Sequence, residues 1–210
     1  TRSGEITITA WDLDIAGSLS AGNAGMKIFG SKEDQTIGLG ASNDMHILGS
    51  ELERMTSKSG LQLGSSYTGN IAVRGLAKTQ NDEIGTLNLV ATKPGKTVAF
   101  KVVPSEFNKG ITVQAQGGVL LSVGATTESS QSVIYAGTGT LSVENGAFLS
   151  TTGQLLTVTT DDFKINGAIS SGGATTIFEC TSPGRTVGLG AGAGQMSITA
   201  AEFTFFTALG

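Results

Sequence analysis

The chain has 210 residues, 39% of them hydrophobic and 14% charged. That supports one sizeable core or two small ones and excludes a charge-rich disordered tail. The 31 glycines lack a three-residue period, prolines number 3, and Ser plus Thr make up roughly a quarter of the chain, which excludes collagen and points to an all-β chain rich in tight turns. A net charge of −4 with scattered Lys and Arg argues against nucleic acid and against an anionic membrane surface, and no apolar run approaches the ~20 residues that cross a bilayer.

From Glu5 to Ser20 apolar residues alternate with polar ones (Ile6, Ile8, Leu13, Ile15, Leu19), a strand pattern closed by Gly17 and Gly22. Short runs follow at Met26–Phe29, Thr36–Leu39 and Met45–Leu48, each ended by Gly, Asn, Asp or Ser. Glu51 to Ser59 is the one place for a short helical turn, with Leu52 and Met55 plugging the side of the core. The strand series continues through Leu61–Leu63, Asn70–Val73, Leu87–Ala91 and Thr97–Val103. It goes on through Ile111–Gln114, Val119–Val123, Val133–Ala136, Leu141–Val143 and Leu155–Thr159. The chain starts at Thr1 inside a strand-like pattern, so no signal peptide is expected within it, as in a processed or excised segment.

Thr36-Ile37-Gly38-Leu39-Gly40 comes back 150 residues later as Thr186-Val187-Gly188-Leu189-Gly190. The same offset relates Asp12 to Asp162, Ile15 to Ile165, Gly17 to Gly167 and Gly22 to Gly172. One inserted residue then pairs Met45 with Met196, Ile47 with Ile198 and Glu51 with Glu202. A shorter echo relates Lys93-Pro94-Gly95-Lys96-Thr97-Val98 to Ser182 through Val187, and a Glu corner recurs at Glu51, Glu106 and Glu202.

Long gapless repeats are the signature of stacked architectures. Short strands and scarce hairpin turns favour a β-solenoid over a sandwich or barrel. At roughly 20–25 residues per rung the chain makes about nine or ten rungs. The expected organisation is a single continuous segment over 1–210, with one repeat over about 1–150 and the start of a second over 151–210.

Thr36–Gly40 with Glu51-Leu52, Ser65–Val73, Gly85–Lys93, Phe107–Gln114, Gly137–Val143 and Leu149–Val158 resemble the tandem repeats of very large secreted cell-surface proteins of microalgae. More distantly, the pattern is similar to the β-helices of filamentous-haemagglutinin-type adhesins. The resemblance implies a right-handed parallel β-helix and a non-enzymatic, extracellular role at the cell surface, in a fibre, flagellar hair or surface layer. Its implied partners are further repeats of the same protein, by self-association or stacking, with cell-surface glycans as a second class. An adhesin or glycan-binding module is the alternative, and a polysaccharide lyase or hydrolase a second one.

Candidate sites give little chemistry, so no catalytic, cofactor-binding or metal-binding residue is assigned. Gly188–Gly194 has the glycine of a phosphate cradle, but a strand pattern follows it rather than a helix. Asp12 and Asp14 begin a calcium-loop spacing that lacks its final Glu, with Asn23 in that place, and Lys164 replaces Asp14 in the second copy. Asp161-Asp162 could serve as acid and base on a polysaccharide, although Trp11 answers to position 161 in the first copy. His46 is the sole histidine and is answered by Ser197. Cys180, answered by Gly30, is expected as a small buried hydrophobe, with a link between chains as the alternative. Thr-x-Thr at 7–9, 138–140 and 157–159 raises an ice-binding array, while Trp11, Tyr67 and Tyr135 are the aromatic candidates for a glycan. No Asn-x-Ser/Thr sequon is present.

Overall fold

Turn-forming residues interrupt the chain so often that most strands stay short, and most interior strands bury alternate side chains. The computed structural model describes residues 3–208. In chain order the strands open with β1 (Ile6–Ala10), β2 (Leu19–Gly22), β3 (Met26–Gly30), β4 (Ile37–Leu39) and β5 (Met45–Ile47). After a helical turn α1 (Gly49–Leu52) come β6 (Met55–Ser57), β7 (Leu61–Ser65) and β8 (Ile71–Val73). A 3-10 turn (Lys78–Asn81) leads to β9 (Leu87–Ala91), β10 (Val98–Phe100), β11 (Ser105–Phe107), β12 (Ile111–Ala115), β13 (Gly118–Leu121) and β14 (Ala125–Thr127). Next are β15 (Ser132–Val143), β16 (Phe148–Ser150), β17 (Leu156–Ile165), β18 (Ala168–Gly172) and β19 (Thr176–Glu179). The chain closes with β20 (Val187–Leu189), β21 (Met196–Ile198), a second turn α2 (Ala200–Phe203) and β22 (Phe206–Ala208).

Every strand pairing among the described residues is parallel. Apart from the β20–β21 pair, the pairings form three ladders. The first runs β1-β3-β7-β9-β12-β15-β17-β19 and the second β5-β4-β8-β10-β13-β15-β17. The third consists of β2-β6 and, further along, β11-β14-β16-β18-β22. Register lines up like with like. In the first ladder Ile8, Ile28, Leu63, Leu89, Val113, Ile134, Val158 and Phe178 follow one another. In the second, Ile47, Leu39, Val73, Phe100, Leu121, Val143 and Ile165 do the same. These columns are the core, and most of their members are fully buried.

The fold is thus all-β, built from parallel sheet, with two short helical turns and one 3-10 turn. Several expectations change. The longest ladder holds eight strands among the described residues, not nine or ten levels. The difference lies between β3 and β7, where Met26 pairs with Leu61 and the chain spends extra residues on β5 and α1. Strands β15 and β17 are longer than the expected runs because each continues through a bend, marked by register shifts between Tyr135 and Thr140, from the first ladder into the second. The helical turn sits at Gly49–Leu52, earlier and shorter than Glu51–Ser59, and Leu52 and Met55 are both fully buried. Glu106 is no corner: it lies on β11 with its side chain outward. Gln80 takes that part instead, its Oε1 accepting the Ala77 N–H at 3.0 Å in a turn packed against α1.

Residues 150 apart, or 151 after the inserted residue, make the same bonds. The Glu51 Oε1 accepts the Ile15 N–H at 2.8 Å, and the Glu202 Oε1 accepts the Ile165 N–H at 3.1 Å. Leu19 pairs with Met55 as Ile169 pairs with Phe206, each with a bulge before Gly22 or Gly172. Gly40 and Gly190 both adopt positive φ, and each donates its N–H at 2.8 Å, to the carbonyls of Ile47 and Ile198.

Candidate functional site

The richest surface chemistry lies where the chain leaves the first ladder. Four turns stack there, after β1, β3, β7 and β9. Gln35, 2% exposed, ties the first two together: its Nε2 donates to the carbonyls of Ala10 and Trp11, and its Oε1 accepts the Lys32 N–H at 3.1 Å. Held this way, the Lys32 ammonium sits 4.8 Å from the Trp11 ring centroid, a cation–π contact. Asp34 occupies the left-handed region (φ 62°) and donates its N–H to the Tyr67 carbonyl at 2.9 Å. Lys93 reaches Glu33 at 2.9 Å and Asp34 at 2.6 Å, and Lys96 reaches Asp34 at 2.9 Å. Hydrogen bonds from these two ammonium groups hold the Asp34 carboxyl below the usual aspartate range, and Asp34 and Glu33 in turn raise Lys93.

Between the turns lies an open depression of roughly 450 Å³ bordered by Thr9, Phe29, Lys32, Glu33, Ser66 and Tyr67. Trp11 and Tyr67, distant in sequence, are therefore on one edge, 48% and 68% exposed. An apolar ring face beside hydroxyls and charges is a surface to which a polyol can stack and hydrogen-bond. Tyr135 is not part of it. It lies on β15, between Gln114 and Thr159 of the neighbouring strands.

At the equivalent corner of the second copy the chemistry changes. Asp161 stands for Trp11, Ser182 for Lys32 and Arg185 for Gln35. Asp161 is 4% exposed, accepts the Ser182 N–H at 2.8 Å and its hydroxyl, and has the Arg185 guanidinium 3.9 Å away. Burial pushes its carboxyl up, but the Ser182 hydrogen bonds and the Arg185 charge outweigh it and hold the group below the usual range. Asp162, its neighbour on β17, faces solvent, because successive residues of a strand point to opposite faces. The two carboxylates do not converge on one substrate.

The remaining candidates resolve locally. Asp12 accepts the His46 N–H at 2.9 Å, and its second oxygen lies 3.1 Å from the His46 Nδ1, tying β5 to the segment after β1. Asp14 is exposed and outside this contact. Among the described residues no group of three His, Cys, Asp or Glu is placed to hold a metal ion. Gly188–Gly194 closes the tight loop between the paired strands β20 and β21, and a Cβ at Gly188 would lie 2.3 Å from the Gly192 carbonyl. Cys180 is partly buried, its Sγ 3.8 Å from the Met196 Sδ. Thr7 with Thr9 and Thr157 with Thr159 lie on the first and seventh strands of the first ladder, with other residue types between them, so they form no continuous array.

Sequence reasoning missed Gln35, Asn81 and Gln80. Asn81, 5% exposed, bridges a gap in the third ladder by donating to the Ala77 and Glu106 carbonyls and accepting the Asn108 N–H. Their only signal is an amide side chain between turn residues, which is common. No helix among the described residues is long and apolar enough to cross a membrane. No protein-family model, curated protein or solved structure matches this chain.

Proposed function

We propose that the chain is a stretch of right-handed parallel β-helix serving as a structural, non-enzymatic repeat of a large extracellular protein that builds a fibre, flagellar hair or surface layer. The observation that carries this reading is the coincidence of two orders. The sequence repeats at 150 residues, and the repeated residues make the same hydrogen bonds one copy further along parallel ladders. Such a repeat extends by translation along one axis, so added copies lengthen a rod without altering its cross-section. Eight levels at the inter-strand spacing give a rod on the order of 40 Å from this segment alone. Electron microscopy of the native material tests the proposal: filaments or a layered coat are expected, and dispersed globular particles would refute it.

A second reading, a glycan-binding or adhesive module, is favoured by the edge that carries Trp11, Phe29 and Tyr67 around Lys32. A glycan array probed with the chain and with Trp11→Ala would support it if hits vanish in the variant. An array without hits removes it.

A further inference from the structure

We infer that the flank of the stack between Phe29, Lys32 and Tyr67 binds an anionic saccharide, a sugar chain that carries carboxylate or sulfate groups. This rests on the glycan-binding reading above and names the class of glycan.

The place is a side of the stack and not one of its ends. Phe29 lies on β3 and Tyr67 in the turn after β7, and each of these strands has a parallel neighbour on either side. The depression between them, roughly 450 Å³, falls within the roughly 300–1,000 Å³ of small-ligand sites. Two rings wall it, Phe29 half-buried and Tyr67 exposed, and Thr9 and Ser66 bring hydroxyls to its border. A pyranose has the matching pattern, a face of C–H groups for an aromatic ring and hydroxyls round its edge. The Tyr67 wall is fixed by its backbone. Its carbonyl accepts the Asp34 N–H at 2.9 Å, its N–H donates to the Ser65 Oγ at 3.2 Å, and the buried Thr68 hydroxyl accepts the Ser65 N–H at 2.8 Å.

Charge decides the class of sugar. Lys93 and Lys96 are taken up by Glu33 and Asp34, two cations against two carboxylates, and Asp12 beside Trp11 is turned to His46. Lys32 has no carboxylate partner among the described residues, and its ammonium sits over the Trp11 ring instead. An aromatic face orients an ammonium without neutralising it. The rim of the depression therefore holds one uncompensated positive charge in a set position. A carboxylate or sulfate placed there gains a charge-assisted hydrogen bond that a neutral sugar cannot make. The second copy shows the combination dismantled. Glu179 stands for Phe29, Ser182 for Lys32 and Asp161 for Trp11, and the cation there, Arg185, has Asp161 3.9 Å away. That corner offers neither the apolar wall nor the free charge, so the chain carries one such site.

Calorimetric titration of the 210-residue chain tests the inference with four probes: tetragalacturonate, its fully methyl-esterified form, a sulfated galactan oligosaccharide and its desulfated form. The expected result is one site per chain that binds an anionic probe about tenfold or more tighter than its neutral counterpart. The uronate and sulfate arms tell which acid is preferred, and the gap should shrink as salt is raised. Lys32→Gln should abolish the gap and Lys32→Arg should keep it, both with a native circular dichroism spectrum because Lys32 is exposed. Trp11→Ala, which releases the ammonium from the ring, should weaken the anionic probe more than the neutral one. Equal binding of charged and neutral forms would overturn the inference and leave the glycan-binding reading standing. A gap that survives Lys32→Gln would overturn it too, as would pentaglutamate binding as tightly as the acidic sugar, which would make this a peptide site. Failure of all four probes overturns it as well, and the glycan-binding reading falls with it only where the array also gives no hits.

Discussion

Glu51 carries a polar side chain only 5% exposed, at a corner of the core. Its two oxygens accept the N–H groups of Ile15 and Leu48 at 2.8 and 2.7 Å, two donors from separate parts of the chain. Glu51→Ala leaves both donors without this partner at a part-buried corner. We expect a loss of about 1–3 kcal/mol in urea-denaturation stability, from the cost of donors left unsatisfied. Glu202→Ala should cost less, because the Glu202 corner is more exposed. Asp161 gives a pH signature. Its carboxyl is held below the ordinary aspartate value of 3.8, so its contribution is complete above that value and is lost as pH falls through the lower, folded-state value. Acid unfolding followed by circular dichroism should therefore show a shallower fall in stability below about pH 4 for Asp161→Asn than for the wild type. Identical acid limbs would remove Asp161 from that role. Gly38 is fixed by space: a Cβ there would lie 1.9 Å from the Ala41 carbonyl oxygen. Gly38→Ala should destabilise by about 1–3 kcal/mol, the cost of overpacking.

Within the elements, the columns of stacked side chains carry the stability. Leu89 is fully buried between Leu63 and Val113 of neighbouring strands. Leu89→Ala should cost about 2–5 kcal/mol in chemical denaturation, by lost transfer energy plus the residual cavity. The excursion through β5 and α1 is the least regular element, and it is where the residue count per level departs from its neighbours. There β5 turns back and pairs with β4 on the side away from β8. It is anchored by Asp12 to the His46 N–H and by Glu51 to the Ile15 N–H. The short strands and their breaks were readable from alternating apolar residues and turn formers. Pairing partners were not, because residues as far apart as Met26 and Leu61 leave no local trace of their contact.

At the scale of the whole molecule, stability should be graded along the ladders. Interior strands have a neighbour on each side, and end strands have one. Hydrogen exchange should leave β9, β12 and the first part of β15 the slowest, with β1 and β22 the fastest. Uniform exchange along the chain would contradict a stack held by neighbour contacts. The amino-acid sequence by itself determined the all-β class, the short strands, the 150-residue period and the equivalence of residues such as Glu51 and Glu202. It could do so because side-chain alternation and turn chemistry are local, and a repeat is visible without knowing what it folds into. Only the tertiary structure decided the parallel pairing, the placing of β5 against β4, and the gathering of Trp11, Lys32 and Tyr67 on one edge. It also decided that the Asp161-Asp162 pair splits between interior and solvent. These outcomes depend on which strands become neighbours, across intervals from 8 residues for β4 and β5 to 37 for β18 and β22, and that is set by packing of the whole stack, not by any stretch of it.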